Sequence, residues 1–456
     1  MLTIYNTLTK QKEEFVPLQD KKVKMYVCGI TPYDTCHIGH ARCYVTFDIV
    51  RRYLKFLGYD VLYIQNFTDV DDKIIAQSDK KGIPYKELAE TYIKEFFDMM
   101  NALNVVPADV NPRVTDNIEV IIQTVKTLID KGKAYQLDGD VYFKIKQFKE
   151  YGKLSGRSVD DLEAGARVKI NEKKEDPLDF ALWKKAKSGE PSWDSPWGHG
   201  RPGWHIECSV LSTKFLGATL DIHGGGADLI FPHHENEIAQ AESLTEKQFV
   251  RFWMHNGFVM INKEKMSKSL GNIFSLADIF KKFNPMTLRI FLISQHYRSP
   301  LDFSIDKLEE TQKRIDRFVD LALRVKEFGE CLKEEDYPEL LKLKKEFIDS
   351  MNDDFNSAAA LSVLHKILDS ANKSLDKSYI FNAWNKISRL ADILGVSFED
   401  YLVQTIDKDI EEAIKQRNIA RDNKDWAQSD KIRKELEQKG VILEDTPNGT
   451  RWKKKR

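Results

Sequence analysis

Val23-Lys24-Met25-Tyr26-Val27-Cys28-Gly29 runs into Ile30-Thr31-Pro32-Tyr33-Asp34-Thr35-Cys36 and then His37-Ile38-Gly39-His40. The first seven residues alternate apolar and polar side chains and end in glycine, as a strand entering a tight turn does. A loop follows through Thr31-Pro32-Tyr33-Asp34. Ala41 to Leu57 then carries helical spacing and is closed by Gly58. Val61 to Phe67 reads as the next strand. Strand, loop, helix and strand together have the length of a βαβ crossover. That predicts an α/β fold with a parallel sheet covered by helices.

Residues 107–199 change texture. Thr115 to Lys131 predicts a helix and Asp140 to Ile145 a short strand, followed by charged stretches such as Lys173 to Asp176 and by Ser192 to His199. This reads as an insertion between residues 1–106 and 200–304. Strand patterns resume at Leu220 to His223 and at Trp253 to Ile261. Beyond Ser304, Leu308 to Phe328, Glu339 to Met351, Ser357 to Leu375 and Ile380 to Leu394 carry apolar residues at three- and four-residue spacing. They predict a helical bundle over 305–400. A small end domain, 401–456, follows, with two helices in Asp407 to Gly440 and a strand at Val441 to Glu444.

Composition narrows the function classes. The chain has 456 residues, 42% apolar and 31% charged, which suits a folded chain of about three domains. No stretch reaches the ~20 apolar residues of a membrane span, and Met1 to Asn6 shows no signal peptide, so a cytoplasmic protein is expected. Five cysteines point to individual thiols rather than a disulfide framework. With a net charge of −1, a nucleic-acid partner needs a local basic face. The basic tail Arg451 to Arg456 reads as solvated.

No Gly-x-x-x-x-Gly-Lys-Ser/Thr loop and no Gly-x-Gly-x-x-Gly fingerprint is present. The nucleotide reading rests instead on two runs. His37-Ile38-Gly39-His40 lies at a predicted helix N-terminus, where free backbone N–H groups favour an anion. Its imidazoles can follow charge onto a phosphate, and Gly39 lets a nucleotide approach the backbone. Lys265-Met266-Ser267-Lys268-Ser269 follows a predicted hairpin and offers mobile point charges for departing phosphates. Either run alone is commonly a surface accident; together they predict adenylation of a carboxylic acid.

Both runs resemble the paired signatures of the class I aminoacyl-tRNA synthetases. The resemblance implies a Rossmann-like catalytic sheet split by an insertion, with ATP and its Mg²⁺ between the signatures. His37 and His40 would act on the adenylation transition state. Lys265, Ser267 and Lys268 would bind the leaving phosphates.

A metal reading starts from Cys28, Cys208, and the pair His233 and Glu237. Pro232 fits the first position of a helix, which would put His233 and Glu237 on one face. Two thiolates, an imidazole and a carboxylate are a zinc set. Without further information, packing thiols and helix-start histidines fit the same residues.

These positions resemble the cysteinyl-tRNA synthetase family, as do Gly29, Tyr33-Asp34, Thr68-Asp69, Trp204 and His223-Gly224-Gly225-Gly226-Ala227-Asp228. Pro32 and Ile30-Thr31 depart from the family pattern, in the loop before the nucleotide site. The resemblance implies one zinc per chain on Cys28, Cys208, His233 and Glu237, binding the thiolate of L-cysteine. Four protein ligands describe a closed zinc, so substrate binding would need a fifth position or a labile ligand. Gly29, Thr68, Trp204 and Asp228 would line the amino-acid pocket. Asp228 would meet the ammonium group. Arg421, Trp426, Asp430 and Asp445 match positions that read the tRNA(Cys) anticodon. A monomer is expected. Two rivals remain at this stage: a tRNA-independent cysteine ligase of the mycothiol-pathway type, and a non-enzymatic zinc- and RNA-binding protein.

Overall fold

The computed structural model describes residues 1–158, 174–261, 264–265, 274–328, 332–398, 408–446 and 449–454. The chain divides into two compact units. One comprises Met1–Glu309, Glu346–Ser362 and Ile393–Gly395; the other comprises Glu310–Lys345, Val363–Asp392 and Val396–Arg456.

The first unit opens with a hairpin the sequence reading does not assign, β1 (Thr3–Asn6) and β2 (Gln11–Glu14). β3 (Lys22–Val27) is therefore the chain's third strand, and Cys28 lies just past its end. β4 (Asp60–Gln65) pairs with β3 in parallel. Three strands missing from the sequence reading, β5 (Ala134–Leu137), β7 (Phe180–Lys185) and β8 (Gly200–Pro202), join β6 (Asp140–Phe143) in an antiparallel sheet between β4 and β9. β9 (Leu220–Gly226) and β10 (Val250–Asn256) complete the central sheet, whose order is β10-β9-β3-β4 and whose pairings are all parallel. Met25, Tyr26, Val27, Ile64 and Ile222 are fully buried in it, as strands covered on both faces must be.

The strand predicted over Trp253 to Ile261 is two. β10 ends at Asn256, and β11 (Val259–Ile261) joins β12 (Glu264–Lys265) and β13 (Leu301–Phe303) in a separate sheet. The break falls at Gly257, where a Cβ would meet the carbonyl oxygens of Arg298 and Ser299 at 2.6 Å.

The crossover helix between β3 and β4 spans Ile38–Phe56, three residues earlier than its predicted start at Ala41. Phe47, Tyr53 and Leu54 fill the core on one side. Its buried charges are also held. The Arg42 guanidinium donates to the carbonyls of Leu292, Gln295, His296 and Tyr297, and Asp48 accepts from Arg289 Nη2 at 2.5 Å. Two helices, Asp72–Lys81 and Tyr85–Ala102, lie where the sequence reading assigns none.

Strand order decides where a ligand can sit. From β3 the chain crosses to β4 on one side, and β9 then takes the other side of β3. In open parallel sheets the crevice forms at such a reversal, beyond the carboxyl ends of the strands. Cys28 stands there, its N–H on Gly224 O at 3.3 Å.

Downstream helices span Ile305–Lys326, Pro338–Asn352, Ser357–Lys373 and Lys377–Ile393. In the second unit, helices Lys408–Asp422 and Trp426–Gln438 pack with β14 (Val441–Thr446) around Ile410, Ile414, Ile432, Leu436 and Leu443. The tail read as solvated is instead largely strand. β15 (Gly449–Lys454) pairs with β14, and Trp452 packs against that core. Among the described residues, no helix is long and apolar enough to cross a membrane.

Candidate active site

Three distant segments meet at the strand reversal. Cys28 comes from the end of β3, Cys208 from the helix Trp204–Leu216, and His233 and Glu237 from the turn and helix after β9. One ligand atom from each lies within 4.8 Å of all the others, and all four residues are buried. Cys28 Sγ stands 3.6 Å from Cys208 Sγ and 3.4 Å from Glu237 Oε1, and His233 Nε2 is 3.1 Å from Glu237 Oε1. Phe231 is extended (φ −140°, ψ 131°), and from Pro232 the chain runs in a π-helical turn, which ends at His234, into the α-helix Glu235–Thr245. His233 lies in that π-helical turn and reaches the carboxylate four residues on.

Charge in the cluster is balanced by protons. Burial, with the hydrogen bond to Cys208, pushes the Cys28 thiol up. The hydrogen bond from Cys28 pulls Cys208 down to about 6, against its burial. Burial works against a charged His233, but Glu237 and Cys208 outweigh it and hold the imidazolium up to about 10. Burial likewise opposes the Glu237 carboxylate, and His223 and His233 overcome it, lowering the group to about 2. A divalent cation that displaces these protons meets two sulfurs, a nitrogen and an oxygen, the donor set of a zinc centre.

Four further histidines surround the cluster. His205 Nδ1 lies 2.9 Å from His233 Nδ1, and His223 Nε2 lies 2.8 Å from Glu237 Oε2. His234 Nε2 is 3.3 Å from Cys28 Sγ, and its Nδ1 continues to His255 Nε2 at 2.8 Å. Cys28, His223, His234 and Glu237 form a second four-donor group sharing two members with the first. Burial, with the neighbouring imidazoles, lowers His234 and His255, the latter to about 3, so both stay neutral. His205 and His234 directly follow Trp204 and His233 in sequence, and His223 opens the run that ends at Asp228. His255 has no local signal, because only the strand order brings β10 beside this cluster.

The residues expected around an amino acid separate into exposed and buried. Trp204 is 39% exposed, its ring 4.3 Å from the His233 ring centre. Asp228 is exposed on the turn Ala227–Leu229. Thr68 is buried, its hydroxyl donating to Glu207 Oε2 at 2.7 Å. Gly29 N–H donates to Asn66 Oδ1 at 2.9 Å, and a Cβ on Gly29 would overlap the Asn66 carbonyl.

At the nucleotide signature, the backbone N–H groups are not all open to a ligand. His37 caps the helix: its Nδ1 accepts from Gly39 N–H at 3.1 Å and His40 N–H at 3.4 Å. His40 Nδ1 in turn accepts from His37 N–H at 3.3 Å, and the two rings stack 3.7 Å apart. A neutral imidazole that accepts at Nδ1 carries its proton on Nε2. That places the ring proton of each histidine on Nε2. Of the second signature, Lys265 is described by its backbone in β12, opposite Met260, while Ser267 and Lys268 lie outside the described residues. The segment that follows returns to the first signature. Ile38 N–H donates to Phe274 O at 3.2 Å and Leu276 N–H to Cys36 O at 2.9 Å.

In the second unit, Asp445 accepts from Arg417 through both carboxylate oxygens at 2.9 Å and pairs with Arg421 at 2.7 Å. The Arg417 hydrogen bonds hold the Asp445 carboxyl well below the usual carboxylate range. Trp426 is 60% exposed, not core, and Asp430 is exposed on the same helix. Arg417, buried behind Asp445, is a member of this group that the sequence reading misses.

Residues 14–313 match the family model for the class I (C) tRNA synthetase catalytic domain, 346–399 the DALR domain, and 404–452 the cysteinyl-tRNA ligase anticodon binding domain. The cysteine–tRNA ligase of Geobacillus sp. (strain WCH70) is 49% identical over 464 residues, covering 99% of each chain. That of Thermodesulfovibrio yellowstonii is 46% identical over 485 residues, covering all of both. Among solved structures, Mycobacterium tuberculosis methionyl-tRNA synthetase with methionyl-adenylate superposes with a TM-score of 0.59 at 16% identity, covering 82% of this chain and 89% of that one. That is a likeness of fold alone. By its family-model matches and its full-length relatives, the chain belongs to the cysteine–tRNA ligases of the class I synthetases.

Proposed function

We propose that Cys28, Cys208, His233 and Glu237 hold one zinc ion per chain, and that this ion selects L-cysteine for the ligase reaction. The enzyme is a cysteine–tRNA ligase, using ATP, an amino acid and tRNA. The observation that carries the zinc reading is the buried four-donor cluster, every ligand atom within 4.8 Å of the rest. Bound zinc would supply a soft Lewis acid that prefers a thiolate to a neutral hydroxyl, where pocket shape alone separates cysteine from serine poorly.

The remaining residues divide the work in this reading. Trp204 walls the small side chain, Gly29 leaves room for the substrate beside β3, and Thr68 and Asp228 receive the ammonium group. The cysteine carboxylate attacks the α-phosphorus of ATP, a P–O bond forms, and pyrophosphate leaves. The Nε2–H groups of His37 and His40 donate to the phosphate as charge grows on it. Lys265, Ser267 and Lys268 follow the leaving phosphates, with Mg²⁺ accompanying ATP. The terminal ribose hydroxyl of tRNA(Cys) then attacks the acyl carbon and releases AMP. Residues 1–106 and 200–304 carry this chemistry around the insertion 107–199. The bundle 305–400 and end domain 401–456 hold the tRNA, with Arg421, Trp426, Asp430 and Asp445 at the anticodon. The enzyme works as a cytoplasmic monomer. The match to an anticodon binding domain at 404–452 weighs against a tRNA-independent ligase.

Zinc-edge X-ray absorption on zinc-loaded enzyme tests the selection. Adding cysteine brings one more sulfur to the metal if the ion reads the thiol; an unchanged sulfur shell overturns that role and leaves a structural zinc.

A further inference from the structure

The Glu207 carboxyl has no part in the scheme above, yet it is 1% exposed, in the first turn of the helix Trp204–Leu216 and next to Cys208 in sequence. Its Oε2 takes the Thr68 hydroxyl proton at 2.7 Å. The same hydroxyl oxygen accepts from Asn66 Nδ2 at 3.4 Å, and Asn66 Oδ1 accepts from Gly29 N–H at 2.9 Å. A relay therefore runs from the loop after β3, through the loop after β4, to the helix that carries Cys208. Asn66, Thr68 and Glu207 are all buried.

A threonine hydroxyl has one proton and two lone pairs. Unheld, it turns freely and can show either to a ligand. With its proton given to Glu207, it has only lone pairs to offer. A lone pair suits the N–H of an ammonium group and leaves an uncharged acceptor unpaired. The carboxyl keeps an accepting oxygen whether or not it is ionised.

We propose that Glu207 is a positioning residue for amino-acid binding: by accepting the Thr68 proton it makes Thr68 a fixed acceptor for the substrate's ammonium group. This rests on the reading that Thr68 lines the amino-acid pocket.

Cysteine-dependent exchange of pyrophosphate into ATP, on zinc-loaded full-length enzyme, tests it through separate KM values for cysteine and ATP. Glu207→Leu removes the acceptor and raises the cysteine KM about tenfold or more, with the ATP KM unchanged. Glu207→Gln, whose amide oxygen still accepts, stays within about threefold of the parent, because the hydrogen bond survives without the charge. Thr68→Val raises the cysteine KM by a factor like that of Glu207→Leu, and the double variant is no worse than the worse single one, as for two partners in one interaction. Zinc content and thermal midpoint stay at parental values; a merely structural role shifts them together with both KM values. A Gln variant as impaired as the Leu variant, or additive effects in the double variant, overturns the relay. If Glu207→Leu does not fold, an intact Gln variant beside an impaired Thr68→Val supports the relay, and an impaired Gln variant overturns it. An unchanged cysteine KM in Thr68→Val instead removes Thr68 from the pocket, a failure of the underlying reading that this variant alone reports.

Discussion

His37 serves two purposes with one ring. Its Nδ1 closes the helix N-terminus on Gly39 and His40, and that bond leaves the proton on Nε2. The helix cap therefore sets the tautomer that a phosphate would meet, and the stacked His40 repeats the arrangement. In the proposed reaction Lys268 acts later, on the departing pyrophosphate. Lys268→Ala should slow single-turnover formation of the adenylate by about 10²-fold or more while cysteine affinity changes little. An unchanged rate would remove Lys268 from the chemistry. At this scale the two signature runs were legible as contiguous patterns, and the four zinc-site residues through their resemblance to a family. Glu207, Asn66 and His255 were not. Each acquires its partner from a segment far away in sequence, and no spacing rule encodes such a meeting.

The helix Ile38–Phe56 carries the nucleotide signature on its first turn and buries three charged side chains further along, Arg42, Asp48 and Arg51. Asp48 holds Arg289 at 2.5 Å and also Arg52 at 2.8 Å and the Val106 N–H at 3.0 Å. Both Asp48 and Arg289 side chains are fully buried. Removing one member strands the other's charge, which is the expensive way to break such a pair. Asp48→Ala should cost about 3–5 kcal/mol of stability, read by denaturant unfolding. A loss below about 1 kcal/mol would mean that water reaches Arg289, as at an exposed ion pair. The βαβ unit around this helix was legible because the first strand's alternation ends in glycine and the helix carries its own apolar spacing up to Gly58. The hairpin β1–β2 was not, since Gln11–Glu14 shows no alternation. The break at Gly257 was hidden for another reason: the crowding that demands it comes from Arg298 and Ser299, in a different part of the chain.

At the scale of the molecule, chemistry and RNA reading belong to different units. The buried four-donor cluster and His37 fall in the unit that contains Met1–Glu309, and Trp426 falls in the unit that contains Val396–Arg456. Trp426→Ala should therefore reduce tRNA charging, as kcat/KM for tRNA, by about 5- to 150-fold, the worth of one aromatic–base stack. Cysteine-dependent pyrophosphate exchange without tRNA should not change. Equal losses in both assays would show that Trp426 supports the fold rather than the RNA. In the proposed reading, zinc-loaded enzyme activates cysteine and refuses serine. Pyrophosphate exchange into ATP, measured with each amino acid in turn, tests it most directly. Exchange with cysteine and none above background with serine is the predicted result; no exchange with cysteine in zinc-replete enzyme, or comparable exchange with serine, would contradict it.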